Sequence, residues 1–157
     1  MQIRQILVWV ALLAVAISPL HEPAAVHAAV RTVDAVADEH DGSCSDGDCS
    51  LRDALHVASP GETVDFGVSG TIALSLGALG IDRPLTVRGP GAGELTISGG
   101  DATGVFTIGT EVDVAILDLT IADGHTHIGG AVDSEGRLTL SGCTLSNHSS
   151  DDDGGAI

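Results

Sequence analysis

The sequence predicts an all-β fold, a right-handed parallel β-helix (a solenoid) with about 24 residues per coil and an N-terminal capping helix. Three observations carry that expectation. The segments ELTISGG (94–100), DLTIADG (118–124) and GCTLSNH (142–148) superimpose without gaps, each 24 residues after the last. Within them Leu95, Leu119 and Cys143 share a strand face with Ile97, Ile121 and Leu145, while Thr96, Thr120 and Thr144 take the other face, as the two-residue period of a strand requires. Finally, the stretch with helical spacing stands before all of these strands, directly behind an acidic cysteine loop. Stacking like residues coil on coil makes Leu95, Ile97, Leu119, Ile121, Cys143 and Leu145 the expected core.

Residues 1–28 read as a secretory signal peptide. Arg4 is followed by the apolar run ILVWVALLAVAI at 6–17, then Pro19 and the small-residue pattern Val26-His27-Ala28. That run of 12 residues falls short of the ~20 that span a bilayer. Residues 29–61 read as an N-terminal cap. Ser50 is placed as the N-cap of a helix, with Asp53 reaching back to it as in a capping box. Leu51, Ala54, Leu55 and Ala58 form the apolar stripe, and Ser59-Pro60-Gly61 stops the helix. A coil stack exposes strand edges and apolar interior at its end, so this helix is expected to plug it. In an exported chain, Cys44 and Cys49 suit a disulfide. The rival is a metal site of Asp41, Asp46 and Asp48, whose spacing departs from the calcium-loop pattern.

Residues 62–157 read as the coils. Val114 and Ile116 recur as Leu138 and Leu140, while Leu85 and Val87 belong to an earlier copy whose RGPGAG turn is five residues longer. GGAV (129–132) and GGAI (154–157) mark a third strand, one residue out of step. A propeller blade needs ~40 residues and a leucine-rich repeat a longer leucine pattern, and a sandwich gives no reason for a repeat in phase. Because GGAI falls in mid-repeat, a longer reading frame is expected.

The chain carries 22 Asp+Glu against six Lys+Arg, a net charge of −16. That balance speaks against nucleic-acid and anionic-membrane partners, which demand a cationic surface. No Tyr occurs and the single Trp lies in the signal segment, so aromatic stacking of sugar rings has little support. No transmembrane segment is expected in the mature chain.

CSLRDAL at 49–55, behind the acidic Cys44 loop, resembles the start of CSLREA-type surface proteins. GETVDF (61–66), GTIAL (70–74) and LTVRGPG (85–91) follow in the order such proteins show, and GGAV and GGAI resemble the repeats of polymorphic outer-membrane and right-handed β-helix proteins. Asp53 stands where that family usually has Glu, keeping the carboxylate on a shorter reach. The resemblance spans residues 31–157 and implies a pectin-lyase-like fold and a secreted or cell-surface location, with outer-membrane association one form of it. The expected function is an adhesive or carbohydrate- or partner-binding scaffold, its partner a polysaccharide or a cell-surface protein. The alternative is the N-terminal part of a carbohydrate-active enzyme (a polysaccharide lyase or glycoside hydrolase) with its catalytic coils downstream.

Polysaccharide lyases on such folds combine clustered Asp for calcium with a Lys or Arg base. Lysine is absent here, and Arg83, Arg88 and Arg137 show no repeated pairing with carboxylates, so no catalytic residue is assigned. Asp113, Asp118, Asp123 and Asp133 read as turn or solvated residues. His125 and His127 put two imidazoles on one side of an extended chain, short of zinc's four ligands, and read as a polar turn. No cofactor is expected. Calcium is the ion the acidic run Asp151-Asp152-Asp153 would suit. Cys143 reads as a buried free thiol, and Asn147-His148-Ser149 is a glycosylation sequon.

Overall fold

The computed structural model describes residues 29–127, 129–151 and 155–157, and the signal-peptide expectation therefore lies outside the described residues. The parallel β-helix expected from the sequence is the fold. Its first coil holds β2 (Thr63–Phe66), β3 (Gly70–Ala73) and β4 (Leu79–Ile81), and its second β5 (Leu85–Arg88), β6 (Leu95–Ser98) and β7 (Phe106–Ile108). The third holds β8 (Asp113–Leu117), β9 (Thr120–Ala122), β10 (His125–Thr126) and β11 (Val132–Ser134). A fourth begins with β12 (Arg137–Ser141), β13 (Thr144–Ser146) and β14 (Ser149–Ser150). Before the coils come β1 (Val30–Val33) and α1 (Leu51–Val57).

Strands stack in parallel into three sheets, β1-β2-β5-β8-β12, β3-β6-β9-β13 and β4-β7-β11, with β10 and β14 forming a two-stranded ribbon at one corner. The register reproduces the sequence period: Thr96, Thr120 and Thr144 align, as do Ile97, Ile121 and Leu145. Val114 and Ile116 sit beside Leu138 and Leu140. Leu85 aligns with Val114, so the long RGPGAG turn is absorbed without a slip in register. Turn chemistry repeats too. Asp118 and Asp123 adopt left-handed backbone, as do Gly142 and Asn147 one coil later, the residue types that tolerate that conformation.

The interior is aliphatic apart from Phe106, with Val87, Leu95, Ile97, Ile116, Leu119 and Ile121 fully buried. Each such side chain contributes about 1.5–3 kcal/mol relative to exposure. On the fourth coil no further described strand covers the stack: Leu145 is 37% exposed and Cys143 half-buried.

Two details depart from the sequence reading. The cap segment contains β1, whose four residues pair in parallel with β2 and begin the first sheet ahead of the helix. A run this short, among charged neighbours, gives little alternation to read. The third strand starts at Val132 rather than within the glycines. A Cβ on Gly130 would meet the Ser149 carbonyl at 2.6 Å and the Gly124 carbonyl at 2.8 Å, so the glycine pair makes a tight corner, and β11 follows it.

Candidate functional site at the cap

The cap is held by two buried carboxylates. Cys44 and Cys49 form a disulfide, and the Cys49 carbonyl accepts from the Asp34 and Ala35 N–H groups at 3.1 and 3.3 Å. Ser50 is the N-cap of α1, its hydroxyl accepting from the Asp53 N–H at 3.0 Å. That hydroxyl stands 2.7 Å from Asp53 Oδ2, while Asp53 Oδ1 accepts from the Gly42 N–H at 2.8 Å and meets His40 Nδ1 at 3.0 Å. Asp53 thus ties the cysteine loop to the helix as well as serving the cap. Burial pushes its carboxyl up, but Ser50, Gly42 and His40 together hold it below its ordinary value.

Asp38 is the second. Arg52 Nε donates to its Oδ1 at 2.8 Å and Nη2 to its Oδ2 at 3.1 Å. The Ser75 and Leu76 N–H groups donate to Oδ2 at 2.6 and 2.8 Å. Arg52 also reaches the Gly77 carbonyl at 2.7 Å. Burial opposes ionisation here as well, and again the Arg52 and backbone bonds win, leaving Asp38 below its ordinary value. One ion pair therefore joins the N-terminal segment, the helix and the first coil's turn.

Beside this lock lies a groove of about 410 Å³ between α1 and the β4–β7 face. Its lining combines Gly80 and Gly109, apolar Leu55, and the polar side chains of His40, Arg52, His56 and Arg83. The His40 and His56 rings stand edge to face, centroids 4.9 Å apart. Arg83 is fixed by Nε to Asp82 at 2.7 Å and by Nη1 to the Ala58 carbonyl at 3.0 Å. Asp82 is held below its ordinary value by that guanidinium. Among the described residues Arg83 Nη2 has no hydrogen-bond partner.

The remaining candidates are dispersed. Asp41, Asp46 and Asp48 converge, with ligand atoms within 4.8 Å of one another and all three exposed. The Asp46 backbone amide holds its own carboxyl low, while Asp46 pushes Asp48 up. Asp123 is a polar rung at a coil corner, accepting from Ser98 Oγ at 3.0 Å and Asn147 Nδ2 at 3.2 Å. The Asn147 amide of the sequon is therefore engaged. Asp113 faces Arg137 at 3.4 Å on the outer face of the first sheet. Cys143 is a free thiol near the Ile116 carbonyl. Asp152 and Asp153 lie outside the described residues. Sequence reasoning did not single out Asp38, His40 or Arg52. Their partners stand elsewhere in the chain, and charges in an acidic loop ordinarily read as solvated.

These features define the class as a parallel β-helix opened by a disulfide-pinned helical cap. Among the described residues, no helix is long and apolar enough to cross a membrane. Comparison with protein-family models, with characterised proteins and with solved structures gave no match.

Proposed function

We propose that this chain is an exported β-helix scaffold of the CSLREA type that binds a carbohydrate or a cell-surface protein through the groove beside its cap. The observation that carries the reading is how the lining is built. Arg52 and Arg83, both in the groove's lining, direct their Nε groups at carboxylates and further N–H groups at backbone carbonyls, so these two cations are held in place before any ligand arrives. A pre-organised concave site with an apolar wall and a few fixed polar groups suits binding. The carboxylates beside it are occupied by structural bonds, which favours recognition over proton transfer. The Cys44–Cys49 disulfide supports an oxidising compartment.

A glycan array probed with the labelled chain, alongside His56→Ala and Arg83→Ala, tests this. The proposal expects saturable binding to one class of glycan, weakened at least tenfold in the variants. Equal binding by both variants would remove the groove. Cleavage products accumulating from a bound glycan would replace the scaffold with an enzyme.

A further inference from the structure

The corner ribbon carries a second, independent constellation. His125 and His127 lie two residues apart on β10 and just beyond it, so they share a face. Across the parallel ladder His125 pairs with Ser149, and the Asp151 N–H donates to the Thr126 carbonyl at 3.1 Å, which brings Asp151 level with the two imidazoles. Its carboxylate lies between them, Oδ1 at 3.7 Å from His125 Nε2 and Oδ2 at 3.3 Å from His127 Nδ1. His125 Nδ1 stands 2.9 Å from Ser149 Oγ.

We propose that His125, His127 and Asp151 form a binding site for a borderline divalent transition metal, zinc being the best match, that clasps the third coil to the fourth. The two imidazoles alone fall short of a zinc site. The fold adds a carboxylate from the next coil, giving the two-nitrogen, one-oxygen set typical of open zinc sites, with water completing the shell. Donor atoms around one such ion lie roughly 3–3.5 Å apart, given metal–ligand bonds of about 2.1 Å; each histidine–carboxylate pair stands near that spacing, while the three donors do not yet all fall within 4.8 Å of one another. One carboxylate oxygen faces each ring, so closure on a single ion needs only rotation of exposed side chains. In the binding tautomer His125 donates Nδ1–H to Ser149, which leaves the Nε2 lone pair toward the metal, the outer-shell arrangement that orients ligating histidines. The Asp41, Asp46 and Asp48 cluster offers oxygen alone and suits harder cations.

Titration of the full chain with Zn²⁺ by calorimetry, and with Co²⁺ by visible absorption, tests the site in wild type, His127→Ala, Asp151→Asn and the Asp46→Asn/Asp48→Asn double variant. Circular dichroism checks that each variant is folded, which the exposure of these side chains favours. The expected result is one saturable site with nitrogen-ligand cobalt bands and a metal-dependent rise in melting temperature. Affinity falls at least tenfold in His127→Ala and Asp151→Asn and is unchanged in the double variant. The proposal is overturned if wild type shows no saturable binding, if Asp151→Asn binds as wild type does, or if the double variant alone loses the ion.

Discussion

Asp38 and Asp53 are the residues on which the cap turns, and both hold a charge against burial. Their folded-state affinities for a proton are depressed. Depressed carboxyls contribute stability that is fully present above the unfolded value near pH 4 and is lost as pH falls through the lower folded value. Acid titration followed by circular dichroism should therefore show the wild-type midpoint dropping below about pH 4, with a shallower drop in Asp38→Asn. Equal acid sensitivity in the two proteins would count against the assignment. Arg52→Ala leaves Asp38 buried without its guanidinium and should cost about 3 kcal/mol by chemical denaturation. Reducing the Cys44–Cys49 bridge should cost less, about 2 kcal/mol, because its loop is short. The disulfide was legible from the spacing of two cysteines behind a segment that reads as a signal peptide. The Asp38–Arg52 pair was not, because nothing local relates a carboxylate in one loop to an arginine on the following helix.

Among the elements, the long turn of the second coil shows how an insertion is absorbed. Gly89 and Gly91 N–H groups donate to the Leu117 and Asp118 carbonyls at 2.8 and 2.9 Å, which lays the RGPGAG turn against the corner of the next coil. A Cβ on Gly89 would stand 2.3 Å from the Asp118 carbonyl. Gly89→Ala should therefore cost about 1–3 kcal/mol in a urea melt through overpacking, and a neutral outcome would show that the corner yields. The same turn alters the reading of the threonine ladder. Thr120 donates its hydroxyl to the Ala92 carbonyl, so it is a partnered group, whereas Thr96 and Thr144 show no such bond. Strand phase was legible because aliphatic residues at a fixed period have one stacking solution. The ribbon β10–β14 was not, since two-residue strands of His, Thr and Ser carry no hydrophobic alternation.

For the whole molecule, a net charge of −16 sets self-repulsion against an aliphatic core. Raising ionic strength from low salt to about 0.15 M, where screening acts beyond roughly 8 Å, should raise the melting temperature. A fall would mean that attractive surface pairs outweigh the repulsion. The architecture itself was readable because each coil repeats the same burial problem. The groove was not, because it joins residues of the cap, the helix and the first two coils that share no period. The central claim is that Ile97 and Ile121 stack inside successive coils while the intervening threonines face out. Denaturant midpoints of Ile97→Asp, Ile121→Asp, Thr96→Asp and Thr144→Asp test it most directly. An unpaired charge at 97 or 121 should cost several kcal/mol or abolish folding, on the order of 4 kcal/mol, while Asp at 96 or 144 should stay within about 1 kcal/mol of wild type. Midpoints that fail to alternate between the two sets would contradict the coil.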